Sequence, residues 1–134
     1  MKLTLTPELR VGIGVIDKQH EELFSRINLL FDSMSRGTGK AQVGGVMQFL
    51  EQYMRSHFAT EEGYMASHSY PDLAPHQSQH RDFEARLSEL RESLQADGIG
   101  EELAIRLDQL LCNYLVGHIA RKDRAMAEFL RTRI

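Results

Sequence analysis

The stretch Met54-Arg55-Ser56-His57-Phe58-Ala59-Thr60-Glu61 lies inside a segment, residues 40–67, whose pattern decides the fold. Across that segment Val43, Val46, Met47, Leu50, Tyr53, Met54, Phe58 and Met65 recur at spacings that put them on one face of a long helix. His57 and Glu61 stand four residues apart on that helix, so their side chains project from nearly the same side. An imidazole and a carboxylate placed there need partners from other parts of the chain.

Working outward, the segment before it repeats the helical pattern. Leu23, Phe24, Ile27, Leu30, Phe31 and Met34 predict a helix over 17–36, with Asp17 as its N-cap and a stop before Gly37-Thr38-Gly39. After the break at Tyr70-Pro71, a third helix is expected over 74–96, with Pro75 tolerated in its first turn. It carries Phe83, Leu87, Leu90 and Leu94 and ends before Gly98. A fourth is expected over 101–131, opened by Glu101 and Glu102 at the positive end of the helix dipole and lined by Leu103, Leu107, Leu110, Leu111, Tyr114, Leu115, Ile119, Met126, Phe129 and Leu130. Residues 1–16 lack helical periodicity and read as an extended arm over the core. The prediction is an all-α, up-down-up-down antiparallel four-helix bundle with that N-terminal arm, forming one domain over 1–134. Gly44 and Gly45 weaken the start of the second helix by about 2 kcal/mol relative to alanine; of fraying and close packing by a neighbour, fraying is expected there.

Bulk properties exclude several classes. The 134 residues suffice for one core without covalent or metal staples, so a metal would serve function rather than folding. Sixteen basic and nineteen acidic residues give a net charge of -3 with no basic stripe, and nucleic acid is not an expected partner. A single cysteine, Cys112, rules out an internal disulfide and agrees with a reducing compartment. No signal peptide and no membrane-spanning run are read, so a cytoplasmic location without membrane association is expected. Nothing in the sequence identifies a protein partner.

The polar residues on the apolar faces form a set. His20 belongs to the first helix, His57 and Glu61 to the second, His76 and His80 to the third, and His118 and Asp123 to the fourth. Burying five imidazoles and two carboxylates unpaired would be prohibitive, whereas a pair of divalent cations would satisfy them all. Residues four apart on a helix differ by about 40° around its axis, so His76 and His80 can hold one ion and His57 and Glu61 can share one. His118 and Asp123 are five apart and differ by about 140° on an ideal α-helix, which is awkward for a common site. His20 is expected in the first turn of its helix, where the dipole favours the neutral ring that ligates metal.

The succession Ile16-Asp17-Lys18-Gln19-His20, then His57-Phe58-Ala59-Thr60-Glu61-Glu62 with Met65, then Tyr70-Pro71 with His76 and His80, then His118-Ile119 with Asp123, resembles the hemerythrin family in its bacterial (bacteriohemerythrin) form over residues 7–130. The resemblance implies a non-haem di-iron protein that binds dioxygen reversibly for storage, delivery or sensing, rather than an enzyme. It implies that His76, His80 and His118 hold one iron and His20 and His57 the other. Glu61 and Asp123 would bridge the two together with an oxo or hydroxo group. Phe58, Phe83, Leu115 and Ile119 would wall the oxygen pocket, although ordinary core packing also accounts for them. Members of the family commonly carry tryptophan in the arm; this chain has none, and Leu9 or Val11 stands in that region.

Two other functions compete. A di-iron oxidase, peroxidase or ferroxidase of the ferritin-like kind uses paired Glu-x-x-His motifs; Glu61 and Glu62 are followed three residues on by Tyr64 and Met65 instead. A metal-binding structural or sensory bundle is the other alternative. His68 is expected at the surface, Glu62 facing solvent or pairing beside the ligands, and Cys112 as a small buried residue.

Overall fold

A computed structural model describes residues 3–134, and among them there is no strand. Helix α1 spans Gly14–Ser35, α2 Lys40–Ser67 and α3 Leu73–Asp97. The fourth helical run, 101–130, alternates α segments Glu101–Asp108, Leu115–His118 and Arg124–Leu130 with π-helical turns Gln109–Tyr114 and Ile119–Asp123. Short connections force each helix antiparallel to the one before it, producing the expected up-down-up-down bundle. Gly98 ends α3 at φ 78, a left-handed conformation that costs glycine nothing, and its N–H returns to Leu94 O at 2.9 Å.

The start of α1 differs from the sequence reading. The helix begins three residues before Asp17, because Ile13 O already accepts from Asp17 N at 2.9 Å. Asp17 is therefore not the N-cap. Its buried carboxylate accepts instead from Val11 N at 2.8 Å and Gly12 N at 3.1 Å, tying the arm to the helix. His20 consequently sits in the second turn rather than the first. The arm is extended apart from a 3-10 turn at Pro7–Leu9. Farther out it is clamped by Asn28, whose Oδ1 accepts from Leu3 N at 2.7 Å while its Nδ2 donates to Leu3 O at 2.8 Å.

The expectation of fraying at Gly44 is also corrected. Helix α2 is continuous from Lys40, and Gly44 is buried against α3. A Cβ there would lie 3.0 Å from Gln95 Nε2 and 3.7 Å from Leu94 Cδ2, so the missing side chain permits close approach of the two helices. Gly45, one residue on, meets nothing.

Apolar packing divides into two unequal parts. The larger joins Leu23, Phe24, Ile27 and Leu30 of α1 to Met47, Leu50 and Met54 of α2, Leu87, Leu90 and Leu94 of α3, and Leu107, Leu111 and Leu115 of the fourth run. The smaller contains Val11 and Ile13 of the arm with Ile16, Met65, Met126, Ala127 and Leu130. Between them, at the arm's end of the bundle, every helix contributes polar side chains.

Candidate metal centre

Each of the seven expected residues enters this layer from a buried position, none more than 7 % exposed. Their side chains meet as two groups of donor atoms, with all members of each within 4.8 Å of one another. One group contains His76, His80, His118, Glu61 and Asp123; the other contains His20, His57, Glu61 and Asp123. Both carboxylates belong to both groups.

Individual oxygens account for that sharing. Glu61 Oε1 lies 3.2 Å from His80 Nε2, while its Oε2 lies 3.2 Å from His57 Nε2 and 3.5 Å from His20 Nε2. Asp123 Oδ1 lies 3.0 Å from His76 Nε2 and 3.1 Å from His118 Nε2, and its Oδ2 lies 3.2 Å from His20 Nε2. Each carboxylate thus turns one oxygen toward the group that holds His76, His80 and His118 and the other toward the group that holds His20 and His57.

The fourth run meets this geometry by abandoning α-helical winding. A π turn closes its hydrogen bond five residues along, so residues five apart come to share a face. The π turn Ile119–Asp123 therefore removes the angular conflict between His118 and Asp123. Ideal α geometry was the wrong template for that segment.

Outside the layer, three imidazoles are held by acceptors at their other nitrogen. His57 Nδ1 donates to Gln19 Oε1 at 2.7 Å, His80 Nδ1 to Glu62 Oε2 at 2.7 Å, and His118 Nδ1 to Gln79 Oε1 at 2.8 Å. Placing the proton on Nδ1 leaves the Nε2 lone pair facing inward, the tautomer a metal requires. Gln19 is itself oriented by Thr60 Oγ1, to which its Nε2 donates at 3.4 Å. Arg81 also binds Glu62, at 2.6 Å. The roles of Gln19 and Gln79 were missed in the sequence, where each stands immediately before a candidate histidine; Glu62 pairs as one of its two expected alternatives.

Several inner atoms have no hydrogen-bond partner: both oxygens of Glu61, both nitrogens of His20, and Nε2 of His80 and His118. Orphaned buried groups of this kind cost about 1–3 kcal/mol each when neutral and more when charged. Without a metal, the charges compensate one another. Burial alone would lower the His20 pKa, but Asp123 and Glu61 overcome it and raise it to about 9. Burial and the neighbouring Asp123 push Glu61 upward, yet His57 and His20 outweigh both and hold it below the usual carboxylate range. Asp123 is likewise held far down, against burial, by His118, His20 and His76. The donor set fits divalent metal: ionised carboxylates, inward ring nitrogens and fixed outer hydrogen bonds.

Around the layer, Phe58 stacks on His80 with centroids 3.8 Å apart and planes 5° from parallel. Phe83 meets Phe58 edge-on at 5.9 Å. Leu115 and Ile119 are each 1 % exposed and pack in the same apolar cluster. Val11 is buried in the arm, whereas Leu9 is only partly buried. His68 ends α2, its Nδ1 bonded to Tyr64 O at 2.9 Å, and takes no part in the layer. Gly117 faces the Arg121 side chain, whose Nη2 would lie 3.0 Å from an added Cβ.

Comparison with known proteins points to one family. The family model described as the hemerythrin HHE cation binding domain matches residues 11–130. Bacteriohemerythrin of Stenotrophomonas maltophilia is 34 % identical over 127 residues, covering 95 % of this chain and 80 % of that protein. Bacteriohemerythrin of Pseudomonas paraeruginosa is 36 % identical over 124 residues, covering 92 % and 78 %. A crystal structure of wild-type hemerythrin superposes with a TM-score of 0.83 at 25 % identity and covers 97 % of both chains. The chain therefore belongs to the hemerythrin family.

Proposed function

We propose that this chain is a non-haem di-iron protein that binds dioxygen reversibly. The observation carrying the reading is the division of both carboxylates between a group of three histidines and a group of two. His76, His80 and His118 would hold one iron, His20 and His57 the other, with Glu61, Asp123 and a solvent-derived oxo or hydroxo group between them. Two ferrous ions would supply the pair of electrons that dioxygen takes up on binding and returns on release. The side with two histidines has one protein donor fewer, and dioxygen is assigned there.

The protein's part is to hold and shield. Hydrogen bonds from Nδ1 of His57, His80 and His118 fix the rings, so little reorganisation accompanies ligand exchange. Phe58, Phe83, Leu115 and Ile119 surround the layer with apolar surface and restrict water. Five imidazoles against two carboxylates make a set poorer in anionic oxygen than the ferritin-like sites, favouring reversible binding over oxygen activation. Among the described residues no helix is long and apolar enough to cross a membrane, and none is required by this reading.

The test is anaerobic reconstitution with ferrous iron, followed by oxygen titration and removal under argon while the visible spectrum is recorded. Two irons per chain and a reversible spectrum support carriage. Fewer than two irons, or irreversible conversion with turnover of added reductant, overturns it.

A further inference from the structure

Two imidazoles of the layer lack the outer partner that His57, His80 and His118 have. His76 directs Nε2 to Asp123 Oδ1 at 3.0 Å, and among the described residues nothing hydrogen-bonds its Nδ1. His20 Nδ1 is also unpartnered, but it is sealed inside the protein. His76 instead lines a cavity of about 380 Å³ between the start of α3 and the second π turn, together with Asp72, Gln79, Arg121 and Lys122. A metal-bound histidine nearly always donates its second N–H to a carboxylate, carbonyl or water. Here the acceptor must come from the cavity.

Charge says what kind of acceptor suits it. Arg121 and Lys122 are exposed at the cavity wall, and neither forms an ion pair among the described residues. Gly117 leaves room for the Arg121 guanidinium to lie back along the helix. Asp72 is the one carboxylate on the wall and offsets one cation, leaving the lining net positive. We infer that this cavity binds a small monovalent carboxylate or oxyanion, held by Arg121 and Lys122 and accepting the N–H of His76. The same anion would adjoin Gln79, whose Oε1 holds His118 Nδ1, so it would contact His76 directly and reach His118 only through Gln79. Strengthening the hydrogen bond on His76 makes the ring a more basic ligand. The cavity is thus an effector site for the iron held by His76, His80 and His118, an inference that rests on the proposed di-iron reading.

Formate is a suitable probe, titrated into both the metal-free and the zinc-loaded protein after metal content has been measured. The readout is the nitrogen-15 NMR signal of the histidine and arginine side chains. Saturable shifts at His76 and Arg121 are expected. Binding should weaken by about tenfold for each cation removed in Arg121→Gln and Lys122→Gln, the loss of one charge-assisted hydrogen bond. No saturable shift in either form, which would mean that water alone meets His76, overturns the site. So does formate binding that the double variant leaves unchanged, which would place the anion elsewhere, including at the metal. A metal content below two per chain sinks the di-iron reading separately, while titration of the metal-free protein still decides whether the cavity takes the anion.

Discussion

His118 Nε2 and Asp123 Oδ1 lie 3.1 Å apart although five residues separate them, and the π turn Ile119–Asp123 brings them together. Inserting one alanine after Ala120, within that turn, makes the spacing six, out of phase with both α and π winding, and rotates Asp123 out of the layer by about 100°. The expected result is a protein that keeps its far-UV helicity but binds one metal ion or none per chain. Retention of two ions would show that the π turn is not what delivers Asp123.

Gln19 orients His57 without belonging to the inner set. Gln19→Ala should lower metal affinity by about 10–100-fold, the usual effect of removing such an outer partner. Competition with a chromophoric chelator measures it. Glu61→Ala should be more severe, because that carboxylate faces both groups, and His68→Ala should have no effect on metal content.

Phe58 is 1 % exposed and stacked on His80, whereas Phe49 is 50 % exposed, with the Arg26 guanidinium 3.7 Å above its ring. Phe58→Ala should cost about 3–5 kcal/mol through lost burial and the cavity left behind. Phe49→Ala loses chiefly a surface cation–π contact of about 0.5–1 kcal/mol. Urea unfolding of the two variants should separate them clearly; similar losses would mean Phe58 is not part of the rigid packing.

Cys112 is only partly buried, yet burial and the neighbouring Asp108 push its thiol up to about 11 from 9. Below both values the thiolate fraction falls about 100-fold relative to an unperturbed thiol. Disulfide-reagent labelling at pH 8 should therefore be slow in the folded chain and become fast on unfolding. Equal rates in the two states would contradict the shift.

The four helices were legible because apolar residues such as Leu23, Ile27 and Leu30 or Leu87, Leu90 and Leu94 repeat with helical period. The seven polar residues were legible because they interrupt those faces. Four features were not legible, for physical reasons. Helical winding in 119–123 is settled by tertiary demand at Asp123, not by local propensity. Asp17 has the residue type of an N-cap, but the extra turn before it and the return of the arm gave its carboxylate other donors. Gly44 looked like weakness because only the neighbouring helix shows that its missing Cβ is needed. Gln19 and Gln79 carried no periodic signal, since each sits at the edge of a face and acts through a histidine on another helix.

The raised pKa of His20 makes a prediction about the protein without metal. Asp123 and Glu61 stabilise the imidazolium more than burial penalises it, so the folded pKa of about 9 exceeds the ordinary 6.5. A group raised on folding contributes stability that is complete below its unfolded pKa and is lost as pH climbs through the folded value. Metal-free protein should therefore lose melting temperature progressively between about pH 6.5 and 9 from this residue. Metal bound at Nε2 replaces the proton, so the loaded protein should be far less sensitive across the same interval. Thermal melts of both forms from pH 6 to 9.5, repeated with His20→Gln, isolate the contribution. If the metal-free parent and the variant show the same pH slope, His20 is not the group that carries the charge.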